Sequence, residues 1–249
     1  MVVASFQGLR GLKRLGLSVL EFFLPRLCVF CGAAVDQEEE AAVCPACAAR
    51  IEWVESPVCP CCGAVFESRS GTDHLCGPCV TDPPPFHQAR AAAVYAGPVA
   101  LAISRFKFGR RMDSLPVMQA WLQQPRCREM VEAADLLIPV PLHPRRLRHR
   151  GFNQALLLAG SFPEANLARE ALIRVRHTIP QVGLKPKERR ENVHRAFAVP
   201  RAEEVKGKNI LLVDDVYTTG ATVKECARAL LKAGASRVEV LTVARTKQE

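Results

Sequence analysis

Apolar runs in the second half of the chain have the length of buried strands. Residues 136–140 and 210–213 are almost unbroken series of Leu, Ile and Val, and residues 238–243 form a third run that is rich in Val. Unbroken apolar strands are typical of parallel sheets whose two faces are both covered. Shorter runs at 91–95 and 171–175 are candidates for further strands.

Helical patterns occupy the segments between these runs. Residues 99–108 and 112–124 are predicted helices, and residues 222–233 form another that Gly234 ends. The chain from 210 to 243 therefore predicts a strand, a loop, a helix and a second strand. That order is the crossover unit of a parallel sheet, so the predicted fold class is α/β, with a parallel sheet flanked by helices.

Before residue 80 the pattern changes to regularly spaced cysteines. Nine of the 11 cysteines lie there, and eight of them form four Cys-x-x-Cys pairs. Two thiolates at this spacing can bind one metal ion, and zinc favours a tetrahedron of four thiolates. The predicted ligands of two structural zinc ions are Cys28, Cys31, Cys44, Cys47, Cys59, Cys62, Cys76 and Cys79.

The pairing of these cysteines stays open at this point. Sequential pairing puts the first four around one ion and the last four around the other, and interleaved pairing is the alternative. Cys61 is a spare thiol inside the cluster, whereas Cys127 and Cys226 lie at helical positions that are typical of core thiols. A disulfide framework has no reason to repeat one spacing four times, so we expect a zinc module.

Two features divide the chain into modules. The apolar start is interrupted by Arg10, Lys13 and Arg14, which is unlike a signal peptide, so we expect an amphipathic helix and a cytoplasmic protein. No apolar run approaches the ~18 residues that a membrane span needs. A stiff proline-rich segment at 81–86 follows the cysteines. The predicted organisation is a helical segment at 1–27, a double zinc ribbon at 28–82 and an α/β domain at 90–249.

Charge is unevenly divided between these modules. The chain has 34 Lys and Arg against 25 Asp and Glu, a formal net charge of +9. Residues 105–195 contain 18 basic and 8 acidic side chains, whereas residues 1–104 contain 7 and 10. The basic character of the middle of the chain favours phosphate groups or nucleic acid as ligands.

The segment after the strand at 210–213 carries the densest chemistry. Two adjacent carboxylates, Asp214 and Asp215, precede a loop of hydroxyl and small residues that leads into a helix: Thr218, Thr219, Gly220, Ala221 and Thr222. In open parallel sheets the ligand crevice lies at the carboxyl ends of the strands. Hydroxyls and free amides at a helix start bind phosphate. The pattern predicts a phosphate on the loop, with diol hydroxyls or hydrated Mg²⁺ at the carboxylates; a capped turn with two solvated acids is the alternative.

Residues 210–222 resemble the phosphoribosyl pyrophosphate (PRPP) motif of type I phosphoribosyltransferases, with four apolar residues, two acids and Thr-Thr-Gly-x-Thr. Three further features are similar to the ComF/GntX family. They are the Arg-Gly-Phe-Asn-Gln series at 150–154, the pattern of Thr, Gln, Leu, Arg, Asn and Ala-Phe at 178–197, and the cysteines that precede both. That family joins a double zinc ribbon to a phosphoribosyltransferase-like domain. The resemblance extends roughly over residues 22–245.

The resemblance implies a role for each matching position. Asp214 and Asp215 would be the catalytic pair that binds the ribose hydroxyls of PRPP with its Mg²⁺, and residues 218–222 would bind the 5′-phosphate. The turn at 141–145 falls at the pyrophosphate loop, and residues 176–195 fall at the mobile hood. The further substrate-binding candidates are Pro141, Leu142, Arg145, Arg150, Gln181, Arg189 and Asn192.

Alternatives exist for several of these side chains. Arg145 and its basic neighbours suit a solvated turn or a nucleic-acid contact as well as pyrophosphate. Gln181 and Asn192 suit a bracing role within the hood.

Two classes of function follow. In the first, the protein is a PRPP-binding phosphoribosyltransferase that acts in DNA uptake (competence) or nucleotide-linked metabolism, although no aromatic-rich segment indicates an acceptor. In the second, it is a non-catalytic adaptor that senses PRPP or binds single-stranded DNA, while the zinc module docks a DNA-uptake helicase or another protein. A purely structural role with a degenerate site is disfavoured by the intact motif.

Overall fold

The computed structural model describes residues 26–35, 42–68, 70–109, 111–178 and 186–247. Most of the predicted N-terminal helical segment lies outside these residues. The chain divides into two compact units, Met1–Arg50 and Ile51–Glu249. The first cysteine cluster (Cys28, Cys31, Cys44 and Cys47) belongs to one unit, and the second cluster (Cys59, Cys62, Cys76 and Cys79) belongs to the same unit as the sheet.

In the first unit, a tight turn carries the first two cysteines. Leu27 and Ala34 form an isolated bridge on either side of this turn, and the Cys28 amide donates to Ala33 at 2.7 Å. Gly32 takes a φ of +76°, which a side chain would oppose. Helix α1, Pro45–Ala48, begins directly after Cys44.

The second cluster repeats this arrangement within the second unit. Val58 and Val65 form the bridge, and the Cys59 amide donates to Ala64 at 2.8 Å. Helix α2, Gly77–Thr81, begins directly after Cys76. Both clusters are therefore a knuckle followed by a short helix, a structural repeat that the sequence indicated only through its cysteine spacing.

A four-stranded parallel sheet forms the centre of the second unit. The strands of the unit are β1 Ala89–Val94, β2 Leu136–Pro139, β3 Ile173–Arg174, β4 Phe197–Ala198, β5 Asn209–Tyr217 and β6 Arg237–Arg245. The order in the main sheet is β1-β6-β5-β2, and every neighbouring pair is parallel. The strands predicted at 136–140, 210–213 and 238–243 are confirmed. The run at 171–175 contributes only the two residues of β3, which pair antiparallel with β4.

Helices cover the sheet. They are α3 Gly97–Phe108, α4 Leu115–Trp121, α5 Pro125–Glu132, α6 Pro144–Arg150, α7 Gln154–Ala159, α8 Pro186–Val193 and α9 Ala221–Lys232. Of these, α5 packs on β1 and β6, α7 on β2 and β5, and α9 on β6. The single helix predicted at 112–124 is wrong: a 3₁₀ turn at Met112–Ser114 precedes α4. Pro116 lies in the first turn of α4, where its missing amide is tolerated.

Short segments shield both edges of the sheet. On the outer side of β1, the Val54 amide donates to Ala92 at 3.1 Å. On the outer side of β2, the Leu137 amide donates to Asn166 at 2.9 Å. Covered edges cannot pair with another chain. No helix within the described ranges is both long and apolar enough to span a bilayer.

Strand β5 is longer than its apolar run predicts. It continues past Val213 because β6 pairs with it as far as Tyr217, which lies opposite Arg245. Asp214 and Asp215 are therefore strand residues, and only residues 218–220 lie between β5 and α9. The pairing with β6 holds both carboxylates at fixed positions near the carboxyl end of the sheet.

Candidate functional site

The acid pair on β5 has a cationic partner that sequence analysis missed. Lys107, near the end of α3, places its Nζ atom 2.8 Å from Oδ1 of Asp215. The Asp215 residue is 5% exposed, so this ion pair is partly shielded from water. Asp214 accepts the backbone amide of Asp215 through its own Oδ1 at 2.9 Å. A lysine in the last turn of a basic helix carries no sequence signal that links it to a carboxylate on β5.

Ionisation of Asp214 is disfavoured at this position. Burial, reinforced by the neighbouring Asp215 carboxylate and opposed by Lys107, raises its pKa from 3.8 to about 7. Two carboxylates so close together do not readily ionise at once. A cationic or hydrogen-bond-donating ligand would relieve this repulsion, and perturbed acids of this kind cluster at functional sites.

The phosphate loop, residues 218–222, lies between the end of β5 and the first turn of α9. Gly220 takes a φ of +71° directly before the helix. A Cβ atom there would lie 2.3 Å from the Tyr217 hydroxyl oxygen, so only glycine fits. Oγ1 of Thr219 accepts the Ala221 amide at 3.4 Å. The loop thus offers hydroxyls and a helix N-terminus, the usual components of a phosphate site.

Basic residues reach the acids from α6. Residues 140–143 connect β2 to this helix, with Pro141 and Leu142 partly buried. Nδ1 of His143 caps α6 by accepting the Arg145 amide at 3.2 Å. Arg145 is thus in the first turn of a helix, whereas the sequence placed it in a loop, and it is exposed.

Arg150, at the other end of α6, is the basic candidate that lies near the acids. Its guanidinium carbon is 5.8 Å from the centroid of the Phe108 ring. Burial lowers the pKa of Arg150, while the nearby Asp215 and Asp214 carboxylates oppose this effect. The structure thus brings two cations, Lys107 and Arg150, close enough to influence the acid pair.

A second missed residue is Arg174, on β3. It is buried, stacks over Phe197 at 5.3 Å and donates through Nη2 to the Thr178 hydroxyl. Arg146 donates to the Thr178 carbonyl at 3.3 Å. Burial and the charge of Arg146 together lower the pKa of Arg174 to about 10. A charge within the apolar run at 171–175 is the only sequence signal for it.

The hood candidates are described only in part. Gln181 and the side chain of Arg189 lie outside the described residues. Asn192 lies near the end of α8. Nη2 of Arg176 donates to three carbonyls at that end, those of Glu191, Asn192 and His194, at 3.3, 3.1 and 2.6 Å. An arginine at this position closes the helix terminus and complements its dipole.

The eight cysteines form two groups of four, and the grouping is sequential. Within each cluster all four sulfur atoms lie within 4.8 Å of one another. The Cys31 and Cys44 sulfur atoms are 3.5 Å apart, and those of Cys62 and Cys76 are 3.6 Å apart. Cys61 is in neither cluster, and Cys127 and Cys226 are buried core thiols.

The donor set of each cluster fits zinc. Burial, together with the adjacent Cys44 and Cys31 thiols, raises the pKa of Cys47 to about 12. This thiol therefore needs a cation beside it to ionise, which zinc supplies. In the second cluster, the Cys62 and Cys76 amides both point at the Cys59 sulfur at 3.5 Å. Amides directed at a sulfur stabilise its thiolate form.

Known families match both parts of the chain. Residues 19–80 match the double zinc ribbon domain, and residues 158–249 match the phosphoribosyl transferase domain. The fold and the two sites thus define a zinc-ribbon protein with a phosphoribosyltransferase-type domain.

Named relatives narrow this class. The DNA utilization protein YhgH of Escherichia coli O157:H7 is 37% identical over 70% of this chain and 79% of its own. Competence protein F of Haemophilus influenzae is 32% identical over 68% of this chain and 78% of its own. Competence protein ComFC of Bacillus subtilis is 30% identical over 64% of this chain and 65% of its own. The chain belongs to the ComF family.

Proposed function

We propose that this protein binds PRPP with Mg²⁺ at the carboxyl end of its sheet and transfers the phosphoribosyl group to an acceptor, in the handling of DNA that the cell takes up. The names of its relatives, DNA utilization protein and competence protein, support the biological setting. The phosphoribosyltransferase domain supports the ligand.

One observation carries the proposal. Asp214 and Asp215 lie beside a phosphate loop at the start of α9, with Lys107 paired to Asp215. Diol hydroxyls donate to carboxylates, phosphate oxygens accept from amides and hydroxyls, and a pyrophosphate needs cations. PRPP presents all three groups in one molecule, so a single ligand satisfies every part of the site.

The roles of the residues follow from this chemistry. Asp214 and Asp215 accept hydrogen bonds from the ribose 2′- and 3′-hydroxyls, and residues 218–222 bind the 5′-phosphate. Arg150 and Lys107 face the pyrophosphate, with Pro141 and Leu142 on the turn before α6 and Arg145 in its first turn. Bound Mg²⁺ adds charge neutralisation to the pyrophosphate. Gln181, Arg189 and Asn192 belong to the hood that would cover the ligand.

The transfer is a displacement at C1 of the ribose. The C1–O bond breaks, pyrophosphate keeps the electron pair, and a lone pair of the acceptor forms the new bond to C1. The proton that the acceptor loses needs a base, and a carboxyl group with a pKa near 7, such as Asp214, is able to take it. The protein contributes mainly positioning and charge neutralisation.

Calorimetry with Mg–PRPP tests the proposal. We expect saturable binding by the intact chain, and loss of binding in Asp214→Asn together with Asp215→Asn. Glu203→Gln, which removes an exposed acid, is the matched control and should bind normally. Pyrophosphate release is then followed with candidate acceptors. Absence of binding by the intact protein would overturn the proposal; binding without release for any acceptor would favour a PRPP sensor.

A second candidate, binding of single-stranded DNA, is supported by α6. Its basic side chains at 145 and 148 are exposed, and the helix has no buried residue. Contacts to phosphates release counterions, so affinity should fall steeply with salt. We expect Arg148→Gln to weaken binding to an oligonucleotide and to leave PRPP affinity nearly unchanged. Salt-independent binding would reject this candidate. Docking of a helicase or another protein by the zinc module stays a prediction.

A further inference from the structure

Arg245, the last residue of β6, is a buried cation at the second cysteine cluster. Its side chain is 1% exposed. Nη1 donates to the Cys62 carbonyl and lies 3.8 Å from the Cys62 sulfur. Nη2 is also buried, and it has no hydrogen-bond partner among the described residues. A guanidinium does not lose its proton in proteins, so its charge needs compensation nearby.

The second cluster supplies that compensation when it holds zinc. A zinc ion with four thiolates carries a net charge of −2. Arg245 is then the counter-ion of the cluster. Its Nη1 bond to the Cys62 carbonyl also ties the position of the guanidinium to a residue that binds the zinc.

The other face of Arg245 contacts Tyr217. The guanidinium carbon lies 5.0 Å from the centroid of the Tyr217 ring, and the two residues are opposite one another at the ends of β5 and β6. The Thr246 amide donates to the Tyr217 carbonyl at 3.0 Å. Phe86 packs its ring edge to face against Tyr217 at 6.3 Å. The tyrosine ring is therefore fixed from several sides.

Tyr217 in turn supports the phosphate loop. Its hydroxyl oxygen lies only 2.3 Å from the position that a Cβ atom on Gly220 would take. The ring therefore packs closely against Gly220, the residue directly before α9.

We propose that the second zinc site and the phosphate loop are energetically coupled through Arg245 and Tyr217, which act as positioning residues. This inference rests on the proposed function, because PRPP is the ligand taken for the loop. Zinc fixes Arg245, Arg245 fixes the Tyr217 ring, and the ring fixes Gly220. Coupling between two binding sites is reciprocal, so PRPP must tighten zinc binding at the second cluster as much as zinc tightens PRPP binding.

Zinc release tests the coupling without any measurement of activity. The zinc-loaded full chain is mixed with a chromogenic chelator, with and without saturating Mg–PRPP. We expect PRPP to slow the loss of zinc from the second cluster about ten-fold, within the usual range of coupling energies. The zinc of the first cluster, which belongs to the other compact unit, should leave at an unchanged rate. Cys31→Ala, which removes one ligand of the first cluster, identifies the two phases.

Variants distinguish coupling through Tyr217 from general stabilisation of the protein by a bound ligand. Tyr217→Leu should keep its zinc, but saturating PRPP should no longer slow the release of that zinc. Tyr217→Phe should restore most of this protection against zinc release. Phe162→Leu, which shortens a buried ring outside this series of contacts, should keep full protection. Arg245→Lys, which keeps the charge without the planar fork, should show intermediate protection.

The outcomes distinguish this inference from the function on which it rests. If calorimetry detects no PRPP binding, the proposed function fails and the inference fails with it. If PRPP binds but the release of zinc is unchanged, only the coupling is wrong. Equal protection in Tyr217→Leu and in the intact protein would also overturn it, because the tyrosine would then transmit nothing.

Discussion

Replacing Asp214 by asparagine should stabilise the protein without ligand while removing PRPP binding. The folded protein raises the pKa of this carboxyl to about 7 from 3.8. The folded state therefore holds a proton that the unfolded chain has lost, and stability falls as pH rises from about 4 to about 7. The asparagine side chain carries no charge, and its amide oxygen can still accept the Asp215 amide that now lies 2.9 Å from the Asp214 carboxylate.

The size of the effect follows from the two pKa values. A rise in the pKa from 3.8 to about 7 costs about 4 kcal/mol of stability above pH 7, since each pH unit between the two values contributes about 1.4 kcal/mol. About 2 kcal/mol of this accumulates between about pH 5.5 and about pH 8. Other groups that titrate in this range, such as the histidines, affect both proteins equally and cancel in the difference.

Urea denaturation at about pH 5.5, 6.5, 7.2 and 8 provides the assay. The free energy of unfolding of Asp214→Asn should exceed that of the natural chain by a margin that widens by about 2 kcal/mol across this series. Glu203→Gln should run parallel to the natural chain. A constant difference between Asp214→Asn and the natural chain would show that Asp214 is ionised throughout, and the argument from burial would be refuted.

Three further changes test other parts of the structure. Lys107→Met leaves the Asp215 carboxylate without its 2.8 Å partner and should lower the free energy of unfolding in urea by about 1–3 kcal/mol. Lys107→Arg should restore most of this loss, and an unchanged denaturation midpoint in Lys107→Met would contradict the pairing. Gly220→Ala forces a Cβ atom against Tyr217 at a φ of +71°. We expect this variant to bind PRPP at least ~10-fold more weakly by calorimetry. Normal affinity would contradict the strain argument. Elemental analysis of the purified protein should give about two zinc ions per chain, and a folded protein without zinc would contradict the assignment of both clusters.

The local pattern of apolar residues predicted most strands of the sheet. The runs at 136–140, 210–213 and 238–243 became β2, β5 and β6, because strands buried on both faces must be apolar along their whole length. The end of β5 was missed for a related reason. Asp214 and Asp215 read as loop residues by polarity, yet pairing with β6 keeps them extended. Strand length there is decided by a partner, which the residues of β5 themselves do not encode.

The charged contacts of the site were beyond sequence reasoning. Lys107 and Arg174 both lie in segments whose pattern explains them as helix and strand residues, and nothing local connects Lys107 to Asp215 or Arg174 to Thr178. Arg245 is the clearest case, since its contact with Cys62 joins residues 183 positions apart. Nothing in the residues around Arg245 indicates that the knuckle of the second cluster covers it.

The sequence by itself determined the zinc ligands, the parallel α/β class and the PRPP-type motif, because each depends on the spacing of residues that are close along the chain. Tertiary structure decided how the cysteines are grouped, which cation faces the acid pair and how the second cluster connects to the phosphate loop. Those features depend on which surfaces pack together, and burial then fixes the energy of each charge. Arg245 would be an ordinary surface arginine in water, and only its enclosure between Cys62 and Tyr217 gives it a role.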